Sequence, residues 1–406
     1  MSIKISDICD INSSNISSKD NYEFINYLDT SNLTEGVIDT LQKLVVGEDK
    51  IPSRAKRKVK KNDVLISTVR PNQKHYGILR KLKENLIVST GFVVLSAKED
   101  IVDAEYLYRY LTQDSITNYL QAIGETSTSA YPSIKPSDIG SLEIELPQLE
   151  EQKAIAKVLL DLDKKIEINN KINKKLEEMA QAIFKQWFVD FEFPNEDGKP
   201  YKSSGGEMVE SELGIIPEGW KIKELKEVIK FNKGKKPKII TDKEFDNSKL
   251  YLTIDVLNRN SIQYAINDKV VLANKKDILM VMDGASSGSL NYGLDGIVGS
   301  TLSKLVINDE YINDDILYYF LKLNEFNIKG HLTGSAIPHT DKEYVNRLIM
   351  CIPNDKELLV RVTKILSDIR EKVIINNEEN SRLIKLRDIL LLKLMSGEIR
   401  VPLGHE

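Results

Sequence analysis

The sequence predicts an α+β protein: two α/β globular segments and two long antiparallel coiled-coil helices, arranged as a pseudo-two-fold internal repeat. Three observations carry this. First, IAKVLLDLDKKIEINN, beginning at Ile155, and VTKILSDIREKVIINN, beginning at Val362, align at a constant offset of 207 residues. Lys157 answers Lys364, Leu159 answers Leu366, Asp161 answers Asp368, and Asn169–Asn170 answers Asn376–Asn377. A long-period repeat of this kind decides the architecture before any single element does. Second, each copy spaces apolar residues in steps of four and three, as a coiled-coil seam does. They are Ile155, Leu159, Leu162, Ile166, Leu176, Ala180 and Ile183, then Val362, Leu366, Ile369, Val373, Leu383 and Leu390, with Arg387 intruding. Third, the sequence ahead of each copy is itself repeated, more loosely.

Taken in order, residues 1–146 form the first globular segment. KISDICDIN reads as a short amphipathic turn or helix with Ile5, Ile8 and Ile11 apolar. FINYLDTSNLTEGVID reads as strand, polar turn, strand. RAKRKVKKNDVLISTVRP gives a basic run, a strand ending near Thr68 and a loop over Arg70–Tyr76. LIVSTGFVVLSA is strand-like, with Gly91 as a bulge, and AEYLYRYLTQDSITNYLQAI is helical. GETSTSAYPSIKPSDIGSLEIELP closes the segment with a polar loop and a strand.

A long helix follows over 147–193. About 40 residues at about 1.5 Å each make a rod of about 60 Å. Asn169 and Asn173 interrupt its seam, and Asn376 and Asn380 interrupt the second copy at the same place. A buried asparagine in a seam costs stability and fixes register. The expectation is an antiparallel helix pair with these four residues facing one another near the middle; the alternative is that each faces solvent. Residues 194–211, rich in Gly, Pro and Ser, read as a linker. Residues 212–351 repeat the first segment: IKELKEVIKFNKG answers ISDICDIN, DILMVMDG answers DVLISTVR, and INDDILYYFL answers VDAEYLYRYL. The second long helix occupies 352–406.

Composition narrows the function. The chain has 406 residues, enough for two or three domains, and a net charge of −4 with a pI near 5.8. A protein that merely coats nucleic acid would be basic, so any DNA contact comes from local patches or from shared partners. No apolar run approaches a membrane span, and MSIKISDICD lacks the apolar core of a signal peptide. Cys9 and Cys351 make no metal or disulfide pattern. The expected setting is reduced and cytoplasmic.

No catalytic motif stands out. There is no phosphate loop or dinucleotide fingerprint. MDGASSGSLNYG lacks the spacing of a serine nucleophile elbow. His75, His331, His339 and His405 are scattered, and a metal-binding His331/His339 pair is less favoured than local hydrogen bonding. The basic and polar loops are the better lead, because Arg, Lys, Asn and Ser beside Tyr supply phosphate and base-edge contacts. In the first segment the DNA-binding candidates are Arg54, Lys56, Arg57 and Lys58; Arg70, Asn72, Lys74 and Tyr76; and Ser127, Ser129, Tyr131 and Lys135. In the second they are Lys233, Lys235, Lys236 and Lys238; Ser286, Ser287 and Asn291; and Ser335 and His339. A charge run such as Arg54–Lys61 is as often a solvated face. The recurrence of comparable loops in both halves is what weighs toward binding.

The layout resembles the specificity subunit of Type I restriction-modification systems. The resemblance rests on the helices after LPQLEEQ and IPNDKEL, on KQWFVDFEFP at Lys185–Pro194, on ELGIIPEGWKIKEL at Glu212–Leu225, and on the loops TSTSAYPSIKPSDI and TGSAIPHTDKEYV. It spans essentially the whole chain. One departure is that the second helix ends in DILLLKLM where the first has AQAIFKQWF.

The resemblance implies two target-recognition domains, 1–146 and 212–351, each reading half of a split DNA sequence, with the helices as spacers of fixed length. It implies a subunit without catalysis or bound cofactor. Its partners would be double-stranded DNA, two methyltransferase subunits that use S-adenosylmethionine to methylate adenine N6, and restriction (translocase-nuclease) subunits that use ATP and Mg. No membrane partner is implied. The competing readings are a protein-interaction scaffold built on the coiled coil and a standalone enzyme; the latter lacks an active-site constellation.

Overall fold

The computed structural model describes residues 2–127, 131–266 and 269–402. The chain divides into two compact units, Met1–Ile166 with Arg382–Glu406, and Glu167–Ser381. Each long helix, Leu149–Phe188 and Lys356–Met395, passes from one unit into the other.

In the first unit, strand Ser2–Lys4 pairs antiparallel with the closing strand Glu143–Glu145. A single helical turn, Ile5–Ile8, then buries Ile5 and Ile8 completely. Two four-stranded sheets follow. One is antiparallel, in the order Cys9–Ile11, Phe92–Ala97, Val64–Ser67, Tyr76–Ile78. The other is mixed, in the order Gln42–Val45, Phe24–Leu28, Leu86–Ser89, Ala55–Lys58, with its central pair parallel.

Two expectations are corrected here. LIVSTGFVVLSA is not one bulged strand: Leu86–Ser89 and Phe92–Ala97 belong to different sheets. The chain turns the corner at Thr90–Gly91, where Thr90 N donates to Arg54 O and Thr68 N donates to Gly91 O. A Cβ on Gly91 would lie 2.9 Å from the Thr30 methyl, so the close approach favours glycine. The second correction is that AEYLYRYLTQDSITNYLQAI forms two helices, Ala104–Leu111 and Asp114–Glu125. Asp103 caps the first, accepting from Tyr106 N. Thr112 Oγ1 donates back to Tyr108 O where it ends.

The first part of the long helix docks on this unit through Ile155, Ala156 and Leu159, in one core with Ile5, Ile8, Tyr106, Ile139 and Ile144. Leu394 of the second helix joins the same core. Burying a leucine fully, as at Leu159, contributes about 1.5–3 kcal/mol.

The second unit repeats the plan. Trp220–Glu224 pairs antiparallel with Ile349–Pro353, and Leu225–Val228 supplies the buried turn. An antiparallel sheet runs Ile229–Lys233, Leu302–Ile307, Leu279–Val281, Leu290–Asn291. A five-stranded sheet again holds one parallel pair, Ser248–Leu252 with Gly296–Val298. The helix Asp314–Gly330 is capped by Asn313, as Asp103 caps its counterpart.

The Gly/Ser-rich stretch read as a linker is folded. Phe193 stacks on Tyr201 at 4.5 Å and on Trp220 at 5.3 Å between ring centroids. Met208–Ser211 forms a hairpin with Gly214–Pro217. Aromatic burial outweighs the loop-forming composition there.

The long helices pair antiparallel in each unit. In the first, Glu151 meets Arg400 and Asp163 meets Arg387, both at 2.9 Å. In the second, Asn169 Nδ2 donates to Asn380 Oδ1 at 2.9 Å, and Asn376 Nδ2 donates to Asn173 Oδ1 at 2.7 Å. Asn173 Nδ2 donates to Asn377 Oδ1, and Asn380 Nδ2 donates to Asn170 Oδ1. Each bond has its repeat-related twin. All four seam asparagines are buried, Asn169 at 1 % exposure. They face one another rather than solvent.

Candidate nucleic-acid interface

In each unit the candidate loops are drawn together by backbone hydrogen bonds. In the first, Arg70 N donates to Pro132 O at 2.8 Å and Ile134 N donates to Thr68 O at 2.9 Å. Asn72 N donates to Gln121 Oε1 at 3.2 Å. The Arg70–Tyr76 loop therefore meets residues 131–135. The start of the basic run reaches the same place through Arg54 O, Thr90, Gly91 and Thr68.

In the second unit, Gly284 N donates to Pro338 O at 2.9 Å. Ser287 Oγ lies 2.7 Å from Gly284 O and 2.9 Å from Pro338 O. Asp283 joins the cluster: its Oδ1 is 2.8 Å from His339 Nδ1, and its Oδ2 is 3.1 Å from Lys233 Nζ. Burial pulls the Asp283 pKa up, but the hydrogen bonds from His339 and Lys233 outweigh it and hold the carboxyl below its usual range. The two clusters occupy equivalent corners of the two copies.

The candidates then separate by what already holds them. Arg54, Lys56, Asn72, Tyr131, Lys135, Lys235, Lys236, Lys238 and Ser335 present exposed surface. Arg70 is half-buried, and its guanidinium lies over the Tyr131 ring, 4.1 Å from the centroid. Ser127 and Ser286 flank these positions, and Ser129 lies outside the described residues.

Several candidates are committed to the fold. The basic run is not all loop: Ala55–Lys58 is a strand. Within it, Arg57 Nε donates to Phe92 O, and burial pulls its pKa down. Lys58 hydrogen-bonds Asp20 and holds that carboxyl at about 2. Lys74 pairs with Asp114 at 2.9 Å. Tyr76 is 9 % exposed in its strand, edge-on to Tyr108, and burial pushes its phenol up to about 12. Ser287 is 1 % exposed and closes the Met282–Gly293 turn. Asn291 is a strand residue opposite Leu279.

Reading the sequence alone missed Asp283 and Gln121. The signal for Asp283 was its place in MDG, opposite the Val69 of TVR. Gln121 gave none. The histidines sit apart in their roles: His331 stacks on Tyr344 at 3.9 Å, whereas His339 is held by Asp283. Among the described residues, no helix is long and apolar enough to cross a membrane.

Comparison with known proteins agrees with this duplicated α/β plan. A family model described as Type I restriction modification DNA specificity domain matches residues 1–178 and 217–385. The chain belongs to that family, whose members are the non-catalytic specificity subunits of Type I restriction-modification systems. It is 27 % identical over 414 residues to the Type I restriction enzyme HindI specificity subunit of Haemophilus influenzae, covering 86 % of this chain and 89 % of that one. It is 28 % identical over 340 residues to the MjaIX specificity subunit of Methanocaldococcus jannaschii, covering 80 % of this chain and 76 % of that one. The crystal structure of a Type-I restriction-modification system S subunit from M. genitalium shares the fold, with a TM-score of 0.60 at 17 % identity over 97 % of this chain and 95 % of that one.

Proposed function

We propose that this chain reads a bipartite DNA sequence, one half-site per globular segment, for a complex that methylates adenine N6. The observation that supports this most is the recurrence of one loop corner, Arg70 N to Pro132 O and Gly284 N to Pro338 O, in both halves. The same backbone device displays different side chains in each copy, which is what reading two unlike half-sites requires. Exposed lysines such as Lys235, Lys236 and Lys238 hold phosphates, and the polar loop residues choose bases. Two methyltransferase subunits supply the chemistry with S-adenosylmethionine. Restriction subunits, with ATP and Mg, join the complex for cleavage. This chain itself holds no cofactor. The chain's net charge of −4 fits a subunit whose partners provide part of the positive surface around the duplex.

The test is methylome sequencing of cells with and without the gene. Loss of one bipartite N6-methyladenine motif on deletion is the expected outcome. An unchanged methylome defeats the reading.

A further inference from the structure

The shared corner carries opposite designs in the two halves. Its left-handed residue is Arg70 in the first unit, with φ 48°, and Gly284 in the second, with φ 107°. Both donate their amide N–H to the equivalent proline carbonyl. Glycine meets this backbone demand without strain, and a residue with a Cβ does not. The corner therefore has no structural need of an arginine. Nor is the side chain spent on an ion pair: among the described residues, no carboxylate pairs with Arg70. Its guanidinium lies over the ring of Tyr131, a residue that is 55 % exposed.

The cation–π contact holds the guanidinium against the ring and leaves its N–H donors for another partner. A phosphate contact needs charge alone, and the exposed Lys56 and Lys135 of the same unit supply that. A planar fork held in place with its donors free matches the paired acceptors O6 and N7 of guanine in the major groove. The second unit lacks both parts. Gly284 has no side chain, and Ile337 stands where Tyr131 does. The polar group there is His339, braced by Asp283, which Lys233 holds in turn.

On the reading given under Proposed function, we infer that Arg70 selects a guanine in the first half-site, with Tyr131 as its positioning ring. The second half-site has no guanine read from this corner.

The test uses the full chain in its methyltransferase complex. Arg70→Gly suits the φ of this corner and is expected to fold as well as the parent, with thermal melting as the check. Arg70→Lys keeps the charge without the fork, and Tyr131→Leu removes the stack. Methylome sequencing of Arg70→Gly should show one guanine position in one half-site relaxed to any base, with every other position and the second half-site intact. Arg70→Lys should relax the same position, and Tyr131→Leu should relax it partially. In binding assays, 7-deazaguanine at that position, which lacks the N7 acceptor, should weaken the parent about tenfold and leave Arg70→Gly unaffected. An unchanged motif in Arg70→Gly overturns the assignment alone. So does a uniform loss at all sites without relaxation, which marks a phosphate contact. A parent complex that methylates no bipartite site removes the reading and the assignment together.

Discussion

Asp163 and Arg370 stand at the same position of the two long-helix copies and carry opposite charges. Each is neutralised within its own unit. Asp163 accepts from Arg109 and, at 2.9 Å, from Arg387. Arg370 donates to Asp315 at 2.7 Å and lies 4.4 Å from the Tyr292 ring centroid. The aligned helices place Glu105 over Asp315, so the globular acid is common to both units while the long-helix charge reverses. Arg109, inserted between Glu105 and Asp163, supplies the missing cation in the first unit. Each segment is thereby matched to its own helix.

A chimera that places residues 212–351 ahead of the first long helix sets Asp315 against Asp163. Like charges in a half-buried site are destabilising. The chimera is expected to melt several degrees below the parent, and adding Asp163→Arg with Arg387→Ala, Ala180 being the repeat counterpart of Arg387, should recover most of the loss. Differential scanning calorimetry measures both; equal melting of the two chimeras would show that the charge reversal has no matching role.

The same site predicts an acid limb. Burial pulls the Asp163 pKa up, but Arg109 and the hydrogen bonds from Arg387 and Arg109 outweigh it, and the carboxyl sits below its usual range. A folded pKa below the unfolded one adds stability that is present above the ordinary value of about 4 and is lost as pH falls through the depressed folded value. Asp163→Asn should therefore be less stable than the parent at pH 7, with the gap closing below about pH 4. Denaturant midpoints measured across that range give the answer, and parallel curves contradict it.

In the asparagine layer, Asn173→Leu strips Asn376, 2 % exposed, of its acceptor. Leaving one buried amide unsatisfied costs about 1–3 kcal/mol. Replacing Asn169, Asn173, Asn376 and Asn380 together by leucine removes the buried donors and acceptors at once, leaves the exposed Asn170 and half-buried Asn377 to water, and should leave stability equal to the parent or higher. Urea unfolding of the single and quadruple variants separates the two. A quadruple variant weaker than the single one would mean that the amides contribute more than register.

For Lys235, Lys236 and Lys238, alanine substitution should weaken binding of all duplexes by a similar factor. Each lost phosphate contact should lower the slope of log affinity against log salt by about 1. Anisotropy titrations at several salt concentrations read this directly. A change in which sequence is preferred would mark these lysines as base contacts instead.

Much of this was legible in the chain because it repeats. The 207-residue offset exposed both long helices, the seam and its asparagines without any knowledge of contacts. What escaped depended on neighbours distant in sequence. The corner at Thr90–Gly91 exists because Arg54 and Thr68 bond to it. The Gly/Ser-rich stretch folds because Phe193 and Tyr201 find Trp220. Tyr76 looked like a loop aromatic and is a core residue against Tyr108. Asp283 became visible only when the sheet set it between Lys233 and His339. Local pattern encodes period and polarity; it does not encode which loop meets which.

The strand pairs Ser2–Lys4 with Glu143–Glu145, and Trp220–Glu224 with Ile349–Pro353, put a strand near the start of each segment beside one at its end. A segment closed in this way is a cassette. Entry and exit then lie at one place, so another segment with the same two border strands can replace it there, provided it also keeps the apolar face and the charge that meet the long helix.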